Sequence, residues 1–277
     1  MRDLLSSTPN NYPEQTYINL QTIWEIIMIT NDLINRICNA HGGIERWRMV
    51  ESIQMQLDIF GPILLTKFKS PWLSNITANI FTDKPYVSIH NFPEEGQTGI
   101  FDGFDVYIYN AQDKIYCERN YNNNDELKNK ARLHWDHLDL IYFLGYALWN
   151  YSCSPFIFQN KGFECHQGED FLQGDGSILS TLNVRYPGHI PTHCKQQVFY
   201  FDQKGLLKRQ DYTADIISPL GIGSNIFGDH KTIDGLVFPT HRSVFPRLRN
   251  GKPLTAIKVM DGRFKNILIN WRQPVTT

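Results

Sequence analysis

The chain has 277 residues, of which 42% are hydrophobic and 20% charged, and its formal net charge is −1. This composition is typical of a globular protein, and scattered Lys and Arg residues exclude a general attraction to nucleic acid. Trp, Tyr and Phe make up 13% of the chain. Such rings either fill a core or line a pocket.

The first 20 residues are polar, contain Pro9 and Pro13, and are predicted to be disordered, which leaves residues 21–277 as a single domain. The N-terminal residues lack the basic region followed by an apolar one that is typical of a secretion signal. The apolar run 23–29 is too short to span a membrane. The five cysteines are odd in number and widely spaced. We therefore expect a cytoplasmic protein without a transmembrane segment.

Helical spacing of apolar residues predicts a first helix from about Gln21 to Asn39, with a break at Asn31-Asp32. His41-Gly42-Gly43 stops it, and one or two further helical turns follow at 44–50. Ser52–Phe60 then alternates apolar and polar residues, as a half-buried strand does. Further strands are predicted at 63–69, 74–82, 86–90, 99–102, 105–109 and 114–118.

After the polar run at 122–126 the period changes, and Leu127–Trp149 is predicted to be helical. The remaining chain is a succession of short two-faced segments. Asp234-Gly235 and Asp261-Gly262 stand between such segments, and this dipeptide is the strongest short hairpin signal. Strands are predicted at 162–168, 178–186, 194–201, 206–216, 226–232, 236–245, 256–260 and 264–269.

The predicted fold class is mainly β (α+β), a curved antiparallel sheet with an N-terminal helix and a central helical insertion. A sheet of about a dozen strands must curl, because twist accumulates from strand to strand, and its concave side needs a filling. The two helical segments are the apolar candidates for that filling. Where they leave space, aromatic and aliphatic side chains line a cavity.

Several motifs resemble the lipoprotein-localisation-factor superfamily, of the LolA/LolB type, and its uncharacterised bacterial branch. They are Ala40–Trp47 before a strand opening at Ser52-Ile53, Asp202–Tyr212, and Asp234–Thr240. The resemblance implies an open β half-barrel with helices packed against its concave face, and binding of an acyl chain or a similar apolar ligand. Those carriers act outside the cytoplasm, whereas no export signal is recognised here, so the resemblance does not extend to lipoprotein carriage.

His134, Asp136, His137 and Asp139 form the densest polar cluster. On a helix the two histidines share one face and the two aspartates another, so a single metal ion would not reach all four. The alternatives are hydrogen bonds on the helix surface, a polar spot facing the cavity, or a metal site. We predict neither a metal nor a cofactor.

A second polar group, Cys165-His166, His189 and His193-Cys194, has soft ligands but no zinc spacing, because Pro187 and Pro191 exclude a helix there. A third holds Arg209, Asp211 and Arg242. A guanidinium at the end of an apolar slot would bind a carboxylate through two parallel hydrogen bonds. The alternative is that these residues lie on the outer, wet face.

The sequence supports three hypotheses. The first is binding of an apolar or amphipathic, lipid-like small molecule that can carry a carboxylate. The second is a cofactor-independent cyclase, isomerase or hydrolase that acts in the same cavity with His134 and Asp136 as its acid–base pair. The third is a fully packed concavity in a structural or partner-binding module. The predicted ligand-binding residues are Tyr107, Tyr142, Phe143, Tyr146, Arg209, Tyr212 and Arg242.

Overall fold

The computed structural model describes residues 20–68, 70–121, 134–192, 194–214 and 221–273, without the side chains of 20–24 and 26. The predicted disorder of residues 1–20 lies almost wholly outside these ranges. The described helices are α1 (Leu20–Ala40), α2 (Ile44–Arg48), α3 (Pro62–Phe68) and α4 (His137–Cys153), followed by a 3₁₀ helix at Phe156–Gln159.

The strands form a 14-stranded antiparallel sheet. In chain order they are β1 (Val50–Phe60), β2 (Trp72–Phe81), β3 (Tyr86–His90), β4 (Thr98–Asp102), β5 (Asp105–Tyr109), β6 (Ile115–Asn120), β7 (Glu164–Gln167), β8 (Phe171–Leu172), β9 (Ile178–Arg185), β10 (Gln196–Phe201), β11 (Leu207–Thr213), β12 (Ile222–Ile233), β13 (Leu236–Pro246) and β14 (Met260–Trp271). The spatial order is β6-β5-β4-β3-β2-β1-β14-β13-β12-β11-β10-β9-β7, with β8 paired to β9.

Two meanders meet where β1 pairs with β14. In β1 every second residue from Ile53 to Ile59 is buried, and Leu57 stands opposite Phe264 of β14. This alternation places the apolar residues on one side of the sheet, as period-2 patterning requires. We call the side that carries Ile53, Leu57 and Phe264 the inner face, and the opposite side the outer face.

Helix α4 fills much of the inner face. From Leu138 to Asn150 every one of its residues is buried, so the helix is apolar on all sides. Two glycines allow the close approach. A Cβ at Gly99 of β4 would lie 2.6 Å from Ile141, and one at Gly145 would lie 2.3 Å from Phe101. The sheet and the helix are therefore in close contact at these two glycines.

Asp136 caps the N-terminus of α4 and is tied to the sheet edge. Its carboxylate accepts from the Asp139 amide at 3.0 Å, and the Asp139 carboxylate accepts from the Asp136 amide at 3.1 Å. Arg119 of β6 donates to Asp136 at 2.9 and 2.7 Å and to Asp139 at 2.9 Å. The predicted helical start is therefore wrong at 134–136, because the cap fixes the first helical residue at His137. Residues 127–133 lie outside the described ranges.

The predicted fold class is confirmed. The sheet is curved and not closed, β6 and β7 stand at its two ends, and it forms an open half-barrel with helices against its concave inner face. Helix α1 runs without the predicted break and packs near β7. None of the helices in the described ranges is long and apolar enough to cross a membrane.

Three segments differ from their predictions. Residues 256–260 were predicted as a strand, but only Met260 lies in one, as the first residue of β14. Residues 63–69 were predicted as a strand, but α3 occupies Pro62–Phe68, where proline suits the first helical position. Asp261-Gly262 was predicted as a turn between two strands, but both residues lie inside β14. Gly262 pairs with Ile59 on one side and Arg242 on the other, so neighbouring strands hold its backbone extended.

Candidate functional site

A cavity of about 80 Å³ lies on the inner face, between the second half of α4 and the strands β1 and β11 to β14. Its walls are almost entirely apolar. The polar groups at its surface come from a few side chains, chiefly Arg242, Asn225 and the tyrosines 151 and 212. The cavity is partly open, and its lining of apolar side chains with a few convergent polar groups is that of a small-molecule site.

Arg242 of β13 is the charged group of this cavity. Its side chain is 7% exposed, and its Cζ lies 4.3 Å from the ring centroid of Phe264, 5.0 Å from Tyr151 and 5.6 Å from Phe227. Three rings thus surround the guanidinium and give it cation–π contacts. Its Nε and Nη1 atoms are buried and have no hydrogen-bond partner within the described part of the chain.

The charge of Arg242 persists despite this burial. Desolvation lowers the pKa of Arg242 to about 10, which leaves the guanidinium protonated at neutral pH. An isolated buried charge costs several kcal/mol, and buried donors in proteins are nearly always paired. Gly262 stands directly opposite Arg242 in the sheet and contributes no side chain, so space remains beside the guanidinium.

Asn225 of β12 is the second polar group, and it is 1% exposed. Neither its Oδ1 nor its Nδ2 has a hydrogen-bond partner among the described residues. In the β12–β13 pairing Phe227 faces Arg242 and Asn225 faces Val244, so Asn225 is the diagonal neighbour of Arg242 on the inner face. Both side chains line the same cavity.

Two tyrosines close one wall. The hydroxyls of Tyr151 and Tyr212 are hydrogen bonded to each other, and burial raises the pKa of both well above the usual value for tyrosine. Both therefore stay neutral at physiological pH. The opposite rim is formed by Ile63 of α3 and by Val259 and Met260, which precede and begin β14.

Three predicted ligand-binding residues meet at this cavity, namely Phe143, Tyr212 and Arg242. Their role in binding stays a prediction. Tyr142 and Tyr146 are buried in the core, where Tyr142 stacks on Tyr121 with a centroid distance of 4.2 Å, and neither lines the cavity.

Arg209 and Tyr107 lie elsewhere. Arg209 pairs with Ile226 and Asp211 with Ser224 across β11 and β12, one residue out of phase with Asn225, so both project from the outer face. Tyr107 alternates with the buried Val106 and Ile108 and also projects outward. Neither residue can therefore contact a ligand in the inner-face cavity.

The predicted acid–base pair also lies outside the cavity. His134 is exposed and precedes α4, and Asp136 serves as the cap of the helix and the partner of Arg119. Because the helix begins after both residues, the helical spacing that was used to argue against a metal site does not apply to them. The structure thus gives no support to an acid–base role for this pair in the cavity.

The Cys165-His166 group does not form a metal centre in the described ranges, where no group of three or more His, Cys, Asp or Glu side chains could hold a metal ion. Cys165 donates weakly to the Phe158 carbonyl at 3.8 Å, and burial raises the pKa of its thiol to about 12. It is therefore an inert core thiol. His193 lies outside the described residues.

Sequence reasoning missed Asn225 and Tyr151. The strand containing Asn225 was predicted to begin at Ile226, but β12 begins at Ile222, so a loop was expected where a polar side chain faces the core. The predicted helix ended at Trp149, two residues before Tyr151. The sequence did carry one signal for Asn225. It lies two residues before Phe227, so both side chains share one face of an extended strand.

No protein-family model matches this sequence, and no curated protein matches it either. Solved structures match its fold. A LolA superfamily protein from Nitrosomonas europaea matches with a TM-score of 0.53 and 9% identity, over 88% of this chain and 94% of that chain. A DUF1329 family protein from Desulfovibrio piger matches with a TM-score of 0.49 and 10% identity, over 87% and 93%. The first match identifies the fold as a LolA-type β half-barrel.

Proposed function

We propose that this protein binds an amphipathic small molecule with an anionic head, a carboxylate in the first instance, in the cavity between α4 and the inner face. The observation that carries the proposal is Arg242, a buried guanidinium with unpaired donors at the end of an apolar cavity. A carboxylate would accept two parallel hydrogen bonds from it and neutralise its charge. The LolA-type fold supports the proposal, because the resemblance to that superfamily implies an apolar ligand.

The cavity is large enough for the head group of such a ligand but not for its tail. The cavity volume of about 80 Å³ is about half of the roughly 150 Å³ of an apolar cavity that holds a benzene molecule. It accommodates a carboxylate but not an alkyl chain. We place the tail of the ligand between α3 and the segment that leads into β14, where Ile63, Val259 and Met260 line the cavity.

Side chains beside this rim favour such a path. Leu65 of α3 and Ile257, close to Val259, are each 50% exposed, although both are large and apolar. A Cβ at Gly61 would lie 2.3 Å from the Val259 carbonyl oxygen, so the backbone just before α3 packs closely against this segment. Separating them would extend the apolar lining from the cavity to the surface.

The test is binding of a fluorescent fatty acid to protein from which bound lipid has been removed, with tetradecanoate and tetradecanol as competitors. We expect tetradecanoate to compete at least tenfold better than tetradecanol, because only the acid carries a negative charge that can pair with Arg242. Arg242→Met should remove this difference. Equal competition by the acid and the alcohol in the wild-type protein would contradict the proposal.

The chain offers two matched variants. Arg263→Met removes an arginine from the neighbouring strand, but this side chain is 63% exposed on the outer face, so tetradecanoate binding should be unchanged. Gly262→Ala keeps Arg242 and puts a methyl group into the cavity, where it would contact the Phe264 ring at 3.4 Å. It should weaken tetradecanoate binding while the fold is retained.

A further inference from the structure

The polar groups beside Arg242 specify more than a negative charge. Gln210 of β11 is 1% exposed and stands directly opposite Asn225 in the β11–β12 pairing. Its Oε1 has no hydrogen-bond partner in the described ranges, and the same holds for both terminal atoms of Asn225. The inner face thus presents a row of buried amides that starts next to the guanidinium.

The orientation of the Gln210 amide is determined by its other neighbour. Gln197 of β10 donates through Nε2 to the Thr192 hydroxyl at 2.5 Å and to the Cys194 carbonyl at 2.9 Å. Its Oε1 is therefore the acceptor, and it receives the Nε2 of Gln210. The Oε1 of Gln210 is left as an unpaired acceptor, and rotating the amide would break the bond to Gln197.

Arg242 can only donate, whereas Asn225, its diagonal neighbour in the cavity wall, can both donate and accept; Gln210 is one strand further away and does not line the cavity. A simple carboxylate satisfies the donors and leaves the Oδ1 acceptor of Asn225 unpaired. A head group that also carries a donor would satisfy both, and buried polar groups without partners are unfavourable. Diagonal neighbours on adjacent strands lie roughly 7–8 Å apart, so the donor must be within a few bonds of the carboxylate.

We infer that the ligand head is a carboxylate with a hydrogen-bond donor on a nearby atom, as in a 3-hydroxy fatty acid. This inference rests on the proposed function and adds the class of head group. Arg242 binds the carboxylate, and the hydroxyl donates to the Oδ1 of Asn225, which lines the same cavity.

The experiment compares 3-hydroxytetradecanoate with tetradecanoate by isothermal titration calorimetry. We expect the hydroxy acid to bind the wild-type protein about 10- to 100-fold more tightly, since sites with buried polar groups discriminate strongly against ligands that leave them unpaired. Asn225→Leu keeps the branched shape without the polar atoms. It should bind both acids with affinities within about threefold of each other.

The outcomes are distinguishable. Equal affinity of the wild-type protein for the two acids would overturn the inference and leave the proposed function standing. A preference that survives in Asn225→Leu would overturn the role of the amide. Binding of neither acid would overturn both proposals. The wild-type comparison needs no variant, so it decides the question even if Asn225→Leu does not fold.

Discussion

Two arginines are buried in the same sheet, one on each face, and their surroundings are opposite. On the outer face, Arg209 donates to Asp211 through Nε and Nη2, each at 2.7 Å, and also to the Gly251 carbonyl. Tyr200 and Ser224 donate to the same carboxylate at 2.9 and 2.7 Å. On the inner face, Arg242 has three aromatic rings and no described partner for Nε or Nη1.

The difference in pairing suggests that Arg209 stabilises the fold and that Arg242 binds a ligand. A buried charge with a complete set of partners holds its surroundings together, and here it fixes the loop around Gly251 to β11. A buried charge whose donors lack hydrogen-bond partners lowers stability by more than cation–π contacts restore, so it indicates that a ligand completes it. Stability measurements can test this distinction, because the two arginines should respond in opposite directions when they are disturbed.

The largest effect is expected at the outer face. Asp211→Ala leaves Arg209 buried without its carboxylate, which we expect to lower the free energy of unfolding by about 3–5 kcal/mol in urea denaturation. The double variant Arg209→Met with Asp211→Leu removes both charges and should recover at least half of that loss. A cost of less than about 1 kcal/mol for Asp211→Ala would show that the network does not stabilise the fold.

His41, which follows α1, provides a second case of complete pairing. Its Nδ1 donates to the Ile37 carbonyl at 2.8 Å and its Nε2 accepts from the Leu207 amide at 3.4 Å, so the ring is neutral in the folded state. Burial lowers the pKa of His41 to about 4. The unfolded chain takes up a proton below pH 6.5 and the folded chain does not, so stability falls as the pH decreases from 6.5 to 4.

This loss should be roughly 3 kcal/mol. His41→Gln cannot titrate and should show a smaller decrease in the free energy of unfolding between pH 7 and pH 4. His230→Gln is the comparison variant, since burial also lowers the pKa of His230 but its ring is only partly buried. If the free energy of unfolding depends on pH equally in the wild-type protein and in His41→Gln, the loss of stability does not come from His41.

At the inner face, removing a charge is expected to increase the free energy of unfolding. Arg242→Met replaces an unpaired charge among three rings by an apolar chain of similar length, and we expect it to raise the free energy of unfolding by about 1–3 kcal/mol. The exposed Arg263→Met should change it by less than about 0.5 kcal/mol. A loss of stability in Arg242→Met would mean that the guanidinium has a structural partner.

The smallest effect is expected at the cap of α4. Asp136→Ala removes the helix cap and a partly exposed ion pair with Arg119, at a cost of about 1–2 kcal/mol. Tetradecanoate affinity should stay within about twofold, because Asp136 does not line the cavity. A large loss of tetradecanoate affinity without a matching loss of stability would show that Asp136 takes part in ligand binding.

Local patterns predicted much of this architecture. The bounds of β3 and β5 agree with the alternation of their residues, and Asp102-Gly103 turns between β4 and β5 as its composition indicates. The strand interpretation of 63–69 failed because a short apolar run fits a strand and a helix equally well. The Asp261-Gly262 turn failed because dipeptide chemistry carries no information about the two strands that flank Gly262.

The candidate site was harder to predict for a specific reason. The alternation of β11 correctly separated Arg209 and Asp211 from Tyr212, but it could not say which set faces inward, since a shift of one residue exchanges the two faces. The answer depends on the pairing of Gln210 with Asn225 and of Phe227 with Arg242. Those pairings join strands whose register the sequence does not reveal.

The pairing of β1 with β14 also has a consequence during synthesis. Ile59 and Gly262 are direct neighbours in the sheet and both border the cavity, although some two hundred residues separate them in the chain. Contacts of such long range form late, because the intervening chain must first be ordered. A nascent polypeptide on the ribosome has no binding chamber until β14 has emerged, so ligand capture would report that translation has passed this strand.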